Sequence, residues 1–284
     1  MAQFTNQAQL SYNGTVINSN VVVGEILEVV TASKTAVVDT YATGGSVTYV
    51  ISLVNTGNTV LTALTVTDDL GAYEQGTQTR VPLTYVDGSI RLFVNGVLQT
   101  APTVTTEPTL TVSGLTLPAG GNLILVYTAD VNVFAPLGEA DSIVNTATVT
   151  GSGVPTPITV TETVTPVAQP SLRVTKSIDP VPVAENGTLT YRFTIENFGN
   201  TAATVVDNVA LTDLFDPILS GLSVSLDGVV WSEGVQYNYD EATGQLSTVP
   251  GQITVPAAIY TQDIASGTWS VTPGVAVLTV SGTV

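Results

Sequence analysis

The strongest constraint on this chain is that it repeats itself. Residues 45–58 (GSVTYVISLVNTGN) align with residues 187–200 (GTLTYRFTIENFGN) at a constant offset of 142, and the two lysines of the sequence, Lys34 and Lys176, fall on the same offset. In both copies the apolar residues alternate: Val47, Tyr49, Ile51 and Leu53 match Leu189, Tyr191, Phe193 and Ile195. That period of two predicts a strand with one face in a core. The Asn-Thr-Gly-Asn and Asn-Phe-Gly-Asn tails are expected to supply positive-φ turn residues. A second strand should follow in each copy, ending in Val66-Thr67-Asp68 and Leu211-Thr212-Asp213. Short strands punctuated in this way, built twice, predict an all-β chain of two tandem immunoglobulin-like β-sandwich domains.

Length and composition agree. The 284 residues suit two domains, and 44% apolar with only 10% charged residues favours strands and tight turns over long helices. A formal net charge of -17 would repel phosphate backbones and anionic membranes, so nucleic acid is not expected as a partner. Membrane insertion is not expected either, since no apolar run approaches the roughly 18 residues of a span. With no cysteine and no histidine, thiol and Ser-His-Asp catalysis are excluded, and no enzymatic activity is expected. The first residues lack the basic and apolar regions of a secretory signal. Either a signal preceded this numbering or export takes another route, a start compatible with assembly inside a cell that later lyses, as for appendages on spores. An extracellular or cell- or spore-surface location is expected.

The stretch Leu172-Arg173-Val174-Thr175-Lys176, the block from Tyr191 to Asn200 with its Thr-Asp follow-up, and the closing Asn145-Thr146-Ala147-Thr148-Val149 resemble the conserved repeat domain of bacterial and archaeal surface proteins. The resemblance covers nearly the whole chain in two copies. It implies immunoglobulin-like sandwiches on long extracellular proteins and no catalytic residues.

The copies differ at their ends. Copy one continues past the strand at residues 123–131 into a further hairpin, through residues 145–149 and 158–167, whereas copy two reaches its last strand at residues 275–284 without one. A match for the missing hairpin occurs near the start: residues 6–11 (NQAQLS) resemble residues 145–150 (NTATVT), at nearly the same distance from the following lysine. The predicted organisation is therefore a donor hairpin arm over 1–30, a complete sandwich over 31–168, and a sandwich lacking its closing hairpin over 169–284. Phe4, Ala8, Leu10 and Tyr12 share one side of the arm strand, and Asn13-Gly14 predicts its tight turn. The arm is expected to complete the second sandwich of a neighbouring copy, lying beside the last strand around Val275, Val277 and Thr279. Such a contact does not close on itself, which predicts a head-to-tail homopolymer, a structural filament subunit of pilus or appendage type. The alternative is a monomeric adhesin or ligand-binding module, with a surface around Trp231, Tyr237 and Tyr239.

Two sets of polar residues are candidate sites. Asp68, Asp69, Asp213 and Asp216 lie near predicted turns; local hydrogen bonding is the plainer reading, and calcium held by turn oxygens is the functional one, although no complete ligand loop is visible. No cofactor is expected. Lys34 with Asn145, and Lys176 with a neighbour's Asn6, occupy equivalent positions and carry the groups for a lysine–asparagine isopeptide bond. Against that, burying Lys and Asp together is costly, and a solvated lysine beside a strand end is the simpler expectation.

Overall fold

The computed structural model describes residues 2–26, 28–107 and 109–284; Met1 and Leu27 of the expected 1–30 arm lie outside the described residues. The chain is all-β, two immunoglobulin-like sandwiches preceded by a hairpin arm, with no α-helix among the described residues. It divides into two compact units, Met1–Pro136 with Ser142–Thr165, and Leu137–Asp141 with Pro166–Val284.

The arm is a two-stranded ribbon interrupted near its middle. Strand β1 (Ala2–Asn6) continues as β2 (Gln9–Tyr12), turns, and returns as β3 (Thr15–Asn18) and β4 (Val22–Ile26), with Tyr12 opposite Thr15 and Phe4 opposite Gly24. Asn13 and Gly14 both take positive φ, 43° and 77°, the signature of a two-residue hairpin turn whose twist suits its strands. Gly24 is needed for a different reason: a Cβ there would lie 2.3 Å from the Phe4 ring. Phe4, Leu10 and Tyr12 are each more than half exposed.

The first sandwich uses β5 (Val30–Ala36), β6 (Ser46–Asn55), β7 (Leu61–Asp68), β8 (Leu110–Leu117), β9 (Asn122–Val131), β10 (Ile143–Thr150) and β11 (Ile158–Pro166). One sheet runs from the edge hairpin Arg91–Val94 and Val97–Leu98 through β9 and β6 to β5, with Leu83–Tyr85 also on β9; the other runs Thr103–Thr105, β8, β7, β10, β11, Thr40–Tyr41. The alternation in β6 places Val47, Tyr49, Ile51 and Leu53 inside, opposite Ala129, Tyr127, Leu125 and Leu123 of β9. All belong to one continuous apolar core.

The second sandwich uses β12 (Leu172–Asp179), β13 (Thr188–Asn197), β14 (Thr212–Leu214), β15 (Ser220–Leu226), β16 (Tyr237–Asp240), β17 (Gln245–Thr248) and β18 (Gly274–Thr283). Its larger sheet is ordered β12, β13, β18, β15, Val229–Val230, and the smaller one holds only β14, β17 and β16. Its core is correspondingly split into two clusters, one around Tyr191, Phe215 and Leu278, the other around Ile195, Ala203 and Val255.

The repeated Asn-x-Gly-Asn tail works differently from its expected role. Neither Gly57 nor Gly199 has positive φ; the working residue is the first asparagine. Asn55 Nδ2 donates to the Thr59 and Pro118 carbonyls while its Oδ1 accepts from Gly57 N, and Asn197 repeats this with Thr201, Pro256 and Gly199. Both asparagines are buried and pin a turn to the next segment. The glycine is required by crowding: at Gly199 a Cβ would sit 2.2 Å from the Gln169 carbonyl oxygen.

Candidate functional site

The two sandwiches present the same edge in two states, one closed and one open. In the first, the end of β7 is flanked by β8 on one side, Leu110 opposite Asp68, and by β10 on the other, Ala147 opposite Asp68. In the second, β14 stands where β7 stood and Asp213 faces Leu246 of β17, as Asp68 faces Leu110. Among the described residues no strand pairs with the other side of β14, where the first sandwich has β10 and β11. The effect reaches the neighbouring sheet. Leu172, Val174, Lys176 and Ile178 of β12 are the repeat equivalents of Val30, Ala32, Lys34 and Ala36, yet every residue of β12 is exposed, whereas Val30 and Lys34 are buried. Beside this row runs an open groove of about 350 Å³ lined by Leu172, Val174, Ile195, Val209, Leu211 and Ile253.

Within the closed edge lies a polar cluster. Lys34, on the inward face of β5, donates from Nζ to Asp68 Oδ2 at 2.8 Å, and the two side chains are 0% and 2% exposed. The Tyr127 hydroxyl donates to the same carboxylate oxygen at 2.6 Å, and Asn145 Nδ2 donates to the Tyr127 oxygen at 3.0 Å. Asp68 Oδ1 accepts from the Leu70 amide. Lys34 is thus not the solvated side chain expected at a strand end: the closing hairpin covers it, and Asp68 is the partner that makes its burial tolerable. Burial pulls the Lys34 pKa down, against the opposing pull of Asp68. Burial, seconded by the Asp68 charge, pushes the Tyr127 hydroxyl well up, and burial raises Tyr49 as well. Two buried atoms in this cluster, Tyr49 Oη and Asn145 Oδ1, have no hydrogen-bond partner among the described residues.

Raised tyrosine pKa values fix a sign. Their neutral form is favoured in the folded state, so the stability they confer is fully present below the ordinary value of 10.0 and is lost as the pH rises through the folded values. Lys34, with its lowered pKa, acts in the opposite sense. The first sandwich should therefore lose thermal stability progressively as the pH rises above about 10, and Tyr49→Phe should flatten that loss in a calorimetric pH series.

In the open sandwich Lys176 pairs with Asp213, with side chains 40% and 18% exposed, and its ammonium lies 4.4 Å from the Tyr191 ring centroid. Val280 faces Tyr191 where Tyr127 faces Tyr49, so the second cluster lacks the bridging phenol. Among the described residues no asparagine stands beside Lys176 and Asp213 as Asn145 stands beside Tyr127. Asn6, the proposed stand-in, is exposed on β1.

The expected position of the arm needs correcting. Strand β18 is internal, paired with β13 along its whole length and with β15 over residues 278–283, and the Val277 amide and carbonyl are both taken by Asp227. Val275, Val277 and Thr279 moreover point away from the core, which receives Ala276, Leu278 and Val280. Strand β14, unlike β18, is a free edge among the described residues.

The acidic candidates are occupied locally or dispersed. Asp69 Oδ1 accepts from the Gly71 and Thr146 amides, while in the second unit Asp213 holds Lys176 and Asp216 is exposed. Among the described residues no group of three or more acidic side chains is placed to hold a metal ion. Around Trp231, Tyr237 is buried, Tyr239 donates its hydroxyl to the Leu219 carbonyl, and Trp231 packs on both core clusters. These aromatics serve packing. Sequence comparison overlooked Tyr127, because the equivalent position in the other copy is Val280.

The chain matches none of the known protein families and no characterised protein by sequence. By structure it is similar to the pilus backbone RrgB of Streptococcus pneumoniae, at 14% identity over 86% of this chain and 55% of that one, with a TM-score of 0.35. It is also similar to BcpA, the major pilin subunit of Bacillus cereus, at 13% identity over 96% and 73%, with a TM-score of 0.37. A GH20 exo-β-N-acetylglucosaminidase of Vibrio harveyi matches at 12% identity over 82% and 41%, with a TM-score of 0.28. The chain thus spans little more than half of the pneumococcal protein. These are loose superpositions, and an enzyme stands among them beside the pilins.

Proposed function

We propose that this chain is a non-enzymatic structural subunit of an extracellular or spore-surface filament, polymerising head to tail as the hairpin arm of one copy fills the open edge of the second sandwich of the next. The observation that carries this reading is the pairing of two liabilities in one sequence. The β14 edge and the inward row of β12 lack the strand pair that closes the first sandwich, and the arm is an exposed hairpin whose Asn6, Ala8 and Leu10 match the inward residues Asn145, Ala147 and Val149. An unpaired edge beside exposed core residues is a template for another strand. In register with the closed sandwich, Ala8 lies opposite Asp213, Asn6 approaches Lys176, and Phe4 and Leu10 cover the groove. Each large side chain so buried contributes about 1.5–3 kcal/mol, and the backbone pairing adds to it. Donor and acceptor are different surfaces, so the contact propagates.

A second copy of residues 2–26 joined after Val284 by a short flexible linker should fill the edge within one chain and yield capped monomers in sedimentation and electron microscopy. The same appended hairpin carrying Leu10→Asp should fail to cap, because it brings an unpaired charge into the groove. Unchanged filaments from the first chimaera would overturn the reading.

A further inference from the structure

The first sandwich carries an open apolar pocket where the arm joins it. The pocket holds about 290 Å³ and lies between the start of β5, at Val29 and Val30, and the loop from β10 to β11, whose Val154, Pro155, Pro157 and Ile158 form its apolar wall. Val29, Val154 and Ile158 pack on the core from one side and remain partly open on the other. An apolar side chain of complementary shape is waiting at the opposite end of β12. That strand ends at Asp179 and runs on through Pro180, Val181 and Pro182. Val181 is 73% exposed, among the most exposed large apolar side chains of the chain. A valine held out between two prolines gives up little backbone freedom when it is seated, because the rings already restrict φ on both sides.

The register of the arm brings these two features together. In the closed sandwich Asn145 stands opposite Glu162, and in the arm Asn6 stands opposite Val22, so Val22 takes the place of Glu162 and Glu25 that of Thr165. The Thr165 amide donates to the Asp39 carbonyl, and the repeat equivalent of Asp39, at the offset that relates Lys34 to Lys176, is Val181. A docked arm therefore sets its Glu25 beside Val181 of the copy that receives it. Three residues later the same arm reaches Glu28, which lines the pocket, and three residues span at most about 10 Å. The tether is also short: Val22 to Val30 is eight residues, whereas the corresponding stretch within one chain, Glu162 to Leu172, is ten. We propose that Val181 of one copy seats in this pocket of the next, so that each junction of the filament is held by an apolar plug as well as by the arm. The inference rests on the docking of the arm and names a second surface at the same joint.

A chain with no cysteine allows a direct test. Thr156 is exposed on the lining of the pocket, so Val181→Cys and Thr156→Cys in one full-length chain place one thiol on each side of the expected contact. A short bis-maleimide is preferred to oxidation, since a disulfide demands a finer geometry. Glu28 at the pocket and Asp179 beside Val181 carry like charge, so the reaction is run at raised ionic strength. The expected result is a ladder of covalent multimers on a denaturing gel from the double variant, and nothing beyond a dimer from either single variant. The chimaera with a second hairpin after Val284, carrying both cysteines, should stay monomeric on the same gel. Filaments seen by electron microscopy without the ladder mean that the pocket stays open or takes another occupant; they overturn the plug and leave the arm reading intact. A ladder from the capped chimaera shows the two positions meeting away from the arm and overturns the plug as well. If the unsubstituted chain forms no filaments, the arm reading fails and the plug fails with it.

Discussion

Removal of residues 1–26 is expected to abolish filaments while leaving the first sandwich folded. The arm strands pair only with each other among the described residues, and the first core is built from β5 to β11 without them. The second sandwich should keep a low, easily melted transition in the deleted protein, because its core is already divided into two clusters and its inward row on β12 stays wet. Adding the hairpin in trans as a peptide of residues 2–26 should raise that transition with peptide concentration, as binding to the native state alone requires. Differential scanning calorimetry reads both transitions, and electron microscopy reads the filaments. If the deleted protein still assembles into the same filaments, the arm is not the donor.

The next largest effect should come from Asp68→Ala. Its removal leaves the Lys34 ammonium buried without its partner, a change that costs about 3–5 kcal/mol in comparable buried pairs. Asp213→Ala in the other sandwich removes the same contact from a lysine that is 40% exposed, where solvent screening leaves an ion pair worth about 1 kcal/mol or less. Equal destabilisation by the two substitutions in denaturant titrations of the unpolymerised chain would show that burial does not separate the two sites.

Much of this was legible before any coordinates. The offset repeat located both β6 and β13, and its alternation placed Tyr49 and Tyr191 inside without ambiguity, because a period of two leaves one choice of face. The open edge at β14 was legible because one copy served as a ruler for the other. What could not be read were facts that depend on distant partners. Whether β18 had a free edge turned on β15, which returns to pair with it from some fifty residues earlier in the chain, and no local pattern announces that pairing. Whether Lys34 was wet turned on β10 and β11 covering it. The role of Asn55 and Asn197 was hidden for a related reason: the tetrapeptide reads locally as a turn, while its asparagine reaches across to residues as far away as Pro118 and Pro256.

The ribbon formed by β1 to β4 is already hydrogen-bonded, with Phe4 seated over Gly24, before anything receives it. In the proposed assembly its ordering entropy is therefore spent when the monomer folds, and docking would lose only the freedom of a stiff two-stranded finger. Growth by such a finger would proceed as a single capture step at each end, with a rate set by encounter and alignment, and not by the stepwise zippering of a loose strand into a groove.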